Sequence, residues 1–184
     1  AKALLAYVPD QPRLYSKLSA WEFLRLMGDL YQIPREVTKE RGEMLLELFG
    51  LMDRADELLE GYSHGMRQKV VLASALLHQP KVIFLDEPTV GLDPASARLL
   101  KDILQELAKQ GVAVFLSTHI LEIAERMCHR VGILQKGKLI ALGSPEELRQ
   151  AVGSEGGSLE DIFLELTGGE ENDELLKSLE EGDR

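Results

Sequence analysis

A parallel α/β sheet with a helical insertion is the fold class that the sequence predicts. Two observations carry this reading. From residue 81 onward, short β-branched runs alternate with helical patterns: Lys81–Leu85, a helix opened by Asp93-Pro94, Val112–Leu116, and a second helix from His119 to Cys128. Strand–helix–strand–helix order implies parallel strands covered by helices. Upstream, residues 19–78 read as mostly helical and separate this block from an earlier apolar run, Ala3–Val8.

Taken in order, Ala3–Val8 reads as a buried strand ended by Pro9, and residues 10–17 as a loop. Ser19 and Glu22 stand in capping-box register, so a helix follows and stops before Pro34. A second helix spans about 37–49 with Gly50 as its C-terminal glycine, and a short third helix covers 53–60. Ser63 precedes a further helix that runs to about His78. Asp93 as N-cap with Pro94 at the first helical position opens the next helix, which Gly111 closes. Val131–Gln135 and Lys138–Leu142 flank Lys136-Gly137 as a hairpin. Ser144-Pro145-Glu146-Glu147 starts another helix, 153–157 reads as a linker, and 158–167 as an amphipathic helix.

Composition narrows the function classes. The 184 residues, 45% of them hydrophobic, suffice for one domain with a real core. A formal charge of −10 argues against a free-standing binder of nucleic acid or anionic lipid, both of which need a basic surface. Residues 170–184 hold seven acids against two bases and read as a solvated acidic tail. The single Cys128 rules out an intrachain disulfide. No apolar run approaches the ~18 residues that span a bilayer, so a membrane role would go through a partner.

The chemistry concentrates at Val82-Ile83-Phe84-Leu85-Asp86-Glu87. Four apolar residues bury a strand and deliver two carboxylates at its C-terminal end, the edge where open α/β sheets bind ligands. Asp86 is placed to hold Mg²⁺ directly or through water, and Glu87 to polarise a water attacking a γ-phosphate. Ser63 and Gly65 sit at a helix N-terminus, where free amides and the helix dipole favour an anion. His64, His78 and His129 have no partners at metal-ligand spacing.

With Tyr62-Ser63-His64-Gly65-Met66 upstream, and Gly91-Leu92-Asp93-Pro94 and then Ser117-Thr118-His119 downstream, the sequence resembles the ATP-binding subunits of ABC transporters. The resemblance implies a P-loop NTPase (RecA-like) sheet with an inserted helical subdomain. It implies that Asp86 is the Walker B acid, Glu87 the catalytic glutamate, Asp93 the D-loop aspartate and His119 the H-loop histidine that contacts the γ-phosphate. Ser63 and Gly65 match the signature motif, which reaches across a dimer to the nucleotide on the other subunit. Asp10 falls in the Q-loop where glutamine is usual, with Gln11 beside it, and both stay open as the Q-loop residue. His64 stands where the signature commonly has glycine. Leu159–Gly169 resembles the end of ABC-2-type exporter ATPases.

The same resemblance implies ATP and Mg²⁺ as ligands and a homodimer or heterodimer of ATPase subunits. It further implies a separate membrane permease, with the helical subdomain as its docking surface, and a cytoplasmic location peripheral to the membrane. The expected parts are 1–18 (core strand and Q-loop), 19–80 (helical subdomain), 81–150 (catalytic core) and 151–184 (C-terminal helix and acidic tail). No G-x-x-x-x-G-K-[ST] loop occurs in the sequence. Gly132–Leu139 imitates one but lacks the hydroxyl and reads as a hairpin. The chain therefore reads as a fragment incomplete at its N-terminus, with a P-loop expected upstream of Ala1, a core strand missing, and no independent activity. Two other readings stand beside this one. A soluble ABC ATPase in DNA repair or translation would purify without membranes, and a non-catalytic regulatory remnant would have no P-loop upstream.

Overall fold

A computed structural model describes residues 2–153 and 157–167. They fall into two compact units, one within residues 1–117 and the other within 118–184.

The first unit is built on three parallel strands in the order β1 (Leu5–Val8), β2 (Val82–Asp86), β3 (Ala113–Ser117). Val8 lies opposite Leu85, and Asp86 opposite Ser117. One face carries Ala6, Val8, Ile83 and Leu85, all buried. The other carries Tyr7, Phe84 and Phe115, which are 61%, 41% and 60% exposed. The strand expected to be buried throughout is thus buried on alternate residues, because the period of two sends Phe84 to the open face. The Phe84 and Phe115 rings stack there with centroids 5.1 Å apart.

Four helices complete this unit: α1 (Ala20–Leu30), α2 (Arg35–Leu48), α3 (His64–Leu77) and α4 (Pro94–Lys109). The first three pack on one another, α3 also meets β1, and α4 meets β3. The capping box holds as read: Glu22 N–H donates to Ser19 Oγ at 3.1 Å, and Ser19 N–H to Glu22 Oε2 at 2.9 Å. Leu24, Leu46, Leu51, Leu59, Leu72 and Leu77 fill the helical core. In α4, Leu100 and Leu104 are buried four residues apart and make the inward stripe.

The helix expected at 53–60 is not formed. Two 3-10 turns, Met52–Arg54 and Leu59–Gly61, take its place. Their neighbourhood spends its backbone donors on distant partners: Leu59 N–H on Leu18 O (2.9 Å) and Glu60 N–H on Ser16 O (3.0 Å). So short a segment gains little from a helical nucleus, and long-range pairing wins.

The second unit contains α5 (Leu121–Met127), the antiparallel pair β4 (Val131–Gln135) and β5 (Lys138–Gly143), α6 (Pro145–Val152) and α7 (Leu159–Thr167). Ala124, Val131, Ile133, Leu148, Leu159 and Ile162 form its core. Lys136 and Gly137 both have positive φ (49° and 77°), the geometry of a two-residue hairpin turn. Gly132–Leu139 is therefore a hairpin and not a phosphate loop. Arg149 pairs with Glu125 and donates to Gly157 O at 2.8 Å, which ties α6 to α5 and to the start of α7. Among the described residues β3 has only β2 as a strand neighbour, and β4 only β5. The acidic tail and most of the expected linker lie outside the described residues.

Candidate functional site

The first unit brings four of the residues singled out above to one sheet edge. Because β1 and β2 are parallel, Asp10 and Gln11 leave the sheet at the same edge as Asp86 and Glu87. Asp86 ends β2 and is half-buried. A recess of 380 Å³ opens beside it, lined by Tyr7, Phe84, Asp86, Phe115 and Ser117 among others.

Glu87 has φ 46°, a left-handed conformation that is costly for a residue with a Cβ. Two hydrogen bonds hold it. Its N–H donates to Ser117 O at 2.9 Å, and its carbonyl accepts from Val90 N–H at 3.1 Å. The strand therefore breaks sharply after Asp86. Nothing in the amino-acid pattern announces this strain.

Ser63 caps α3, with Oγ accepting from Met66 N–H at 3.3 Å. His64 is the first residue of α3 and has no positive φ, so the conformational freedom of glycine is not required there. Asp93 caps α4. It accepts from Ser96 N–H at 2.9 Å and from the Ser96 hydroxyl, and Lys69 Nζ lies 3.6 Å away. These bonds, the Ser96 hydroxyl first, bring the Asp93 carboxyl down to about 2. Lys69 was not anticipated, and a cation six residues beyond a serine cap gives no signal in sequence. Gln68 was missed as well. It is fully buried in α3, and neither amide atom has a hydrogen-bond partner among the described residues.

The depressed carboxyl of Asp93 has a pH signature. An acid with a folded pKa below its unfolded value near ~3.9 stabilises the fold above that value and loses the contribution as pH falls through the folded pKa. The stability gap between the native chain and Asp93→Asn should hold steady down to about pH 4 and close toward about pH 2, where Asp93 titrates. Urea melts at successive pH values measure it. A gap of constant size down to the lowest pH would contradict the assignment.

His119 belongs to the second unit and is exposed. It follows the last residue of β3 by two positions. Beside it, Ile120 N–H donates to Thr118 Oγ1 at 3.1 Å, a bond that shapes the turn into α5.

A family described as ABC transporter matches residues 1–90. The chain is 35% identical over 165 residues to the uncharacterized ABC transporter ATP-binding protein YthP of Bacillus subtilis, covering 90% of the chain and 70% of that protein. Of solved structures, an ATP-binding subunit of an ABC transporter superposes with a TM-score of 0.85 at 36% identity, over 90% of this chain and 69% of the other. CbiO1 of Clostridium perfringens, described as part of the ABC transporter complex cbiONQ, gives 0.68 at 26% identity, over 83% and 61%. The chain spans about half the length of other curated relatives, 44% of one and 46% of another. Fold, motif order and these likenesses agree: the chain belongs to the ATP-binding subunits of ABC transporters.

Proposed function

We propose that this chain supplies the hydrolytic and signature halves of a composite ATP site that powers a separate membrane permease. The observation that carries the reading is the Asp86–Glu87 pair, delivered at the end of β2 beside an open recess with Glu87 held in a strained turn. Glu87 would orient and deprotonate the attacking water, and His119 would contact the γ-phosphate. Ser63 and the free amides of α3 would stabilise the γ-phosphate bound by the partner subunit. Asp93 would hold the turn between the sites, and Asp10 or Gln11 would reach the metal through water.

Among the described residues no three His, Cys, Asp or Glu side chains form a metal cage. Mg²⁺ is commonly held by one or two carboxylates together with phosphate oxygens and water, and Asp86 would be the carboxylate here. When bound, the ion neutralises charge on the phosphates. No helix among the described residues is long and apolar enough to cross a membrane. In this reading a separate permease would carry the substrate. The printed description of CbiO1 as part of a transporter complex supports such an assembly. The resemblance of Leu159–Gly169 to exporter ATPases favours outward transport, with the subunit on the cytoplasmic side and peripheral to the membrane.

Mixing two inactive variants in the whole protein tests the composite site. Ser63→Arg blocks the signature, and Glu87→Gln removes the base. If Ser63 serves the partner's nucleotide, the mixed dimer keeps one site with both groups intact. ATPase activity should then reappear at about a quarter of wild type, given random pairing and independent sites. A mixture as inactive as its parents would place Ser63 and Glu87 in the same site and refute the arrangement.

A further inference from the structure

We propose that His64 is a positioning residue: its ring seats on Gly91 and latches the start of α3 to the turn that carries Glu87. The inference rests on the composite-site reading and deepens it. Three contacts carry it, all within the first unit. A Cβ built on Gly91 would lie 2.3 Å from His64 Cδ2 and 2.9 Å from Nε2, so the imidazole lies directly against the bare Cα. A Cβ on Gly65 would lie 2.7 Å from Gly91 O, so the backbones of the two loops touch as well. One turn further along α3, Lys69 Nζ stands 3.6 Å from Asp93 Oδ2, with the Lys69 side chain only 19% exposed.

Gly91 is also the residue whose backbone admits this approach, with φ 77° and no side chain. Its turn is short and internally bonded. Val90 N–H donates to Glu87 O at 3.1 Å, Leu92 N–H to Thr89 O at 3.2 Å, and Glu87 itself is pinned to Ser117. A displacement of Gly91 therefore reaches Glu87 through three intervening residues. With glycine at position 64 this seat would be empty, and the ion pair and the Gly65 contact would remain. The latch thus fixes the distance between Ser63, which serves the partner's nucleotide, and Glu87, which serves the chain's own. Small errors in such spacing are costly, since a ~1 Å misplacement is worth up to ~10²-fold in rate.

The test is a double-mutant cycle read two ways. In melts of the full chain, Gly91→Ala places a methyl group in the ring. Its backbone strain is the same with histidine or glycine at 64 and cancels in the cycle. The Tm loss from Gly91→Ala should be smaller in the His64→Gly background by about 2–8 °C. In the assembled transporter, His64→Gly should lower kcat about tenfold with KM for ATP little changed, and His64→Gln, which fills the same seat, should restore most of it. Additive Tm losses would show that the ring does not sit on Gly91. Non-additive losses with unchanged kcat in His64→Gly would reduce the contact to packing. Equal damage from His64→Gln and His64→Gly would assign the effect to the imidazole's own chemistry; each of these three results overturns the latch. The melts report on the latch even if the assembly hydrolyses ATP without Glu87, so the two readings fail separately.

Discussion

Glu87→Gln should stop ATP turnover in the assembled transporter while leaving ATP binding intact. A positioned general base contributes about 10²–10⁴-fold to rate, and the amide keeps the size and hydrogen-bonding reach of the carboxylate but cannot accept the proton. The backbone that presents it should survive, because the bonds to Ser117 O and from Val90 N–H are made by main-chain atoms. The φ of 46° costs glutamine about what it costs glutamate, so the turn itself should persist. Two measurements decide it: steady-state kcat, and equilibrium binding of a fluorescent ATP analogue. Turnover within about tenfold of wild type would remove Glu87 from the role of base. A matched loss of binding would mean that the carboxylate holds nucleotide or metal instead, a role assigned to Asp86.

The parts of this site legible in the sequence were those set by local chemistry. Ser19 with Glu22, Ser63, Asp93 with Pro94, and Ser144 with Glu147 each announce a helix start, because capping needs a particular oxygen within a few residues. The strand that delivers Asp86 was legible for the same reason. What escaped depends on residues far apart in the chain. The segment 53–60 looks helical alone, but its last two donors, Leu59 and Glu60 N–H, go to Leu18 and Ser16. The meeting of His64 with Gly91 joins positions 27 apart; neither residue type signals the other, and only the packing of α3 on the turn after β2 reveals the pair. The strain at Glu87 is invisible for a related reason, since a left-handed glutamate is held by Ser117 on the next strand. Which face of β2 is open was not legible, because an apolar run reads the same whether one or both of its faces are covered.

That face bears on the second large effect: the 184-residue chain by itself should bind Mg–ATP more weakly than about 1 mM, at least ~10³-fold below a micromolar site. The groups that leave the sheet at this edge include three acids, Asp86 and Glu87 after β2 and Asp10 after β1. Carboxylates beside a polyphosphate repel it unless cations and amides outweigh them, and the usual suppliers are a lysine and the N–H groups of a glycine-rich loop. No such loop occurs in the sequence, and its one imitation, Gly132–Leu139, is a hairpin. Charge-assisted hydrogen bonds are worth about 1.5–3 kcal/mol each, so lacking two or three of them accounts for the whole deficit. The amides at the start of α3 do not fill the gap, since in the composite arrangement they serve the partner's nucleotide. Isothermal titration of the purified chain with Mg–ATP measures the affinity directly. Micromolar binding would require a phosphate cradle built from other residues, and would return attention to the recess beside Tyr7, Phe84 and Phe115 as an adenine site.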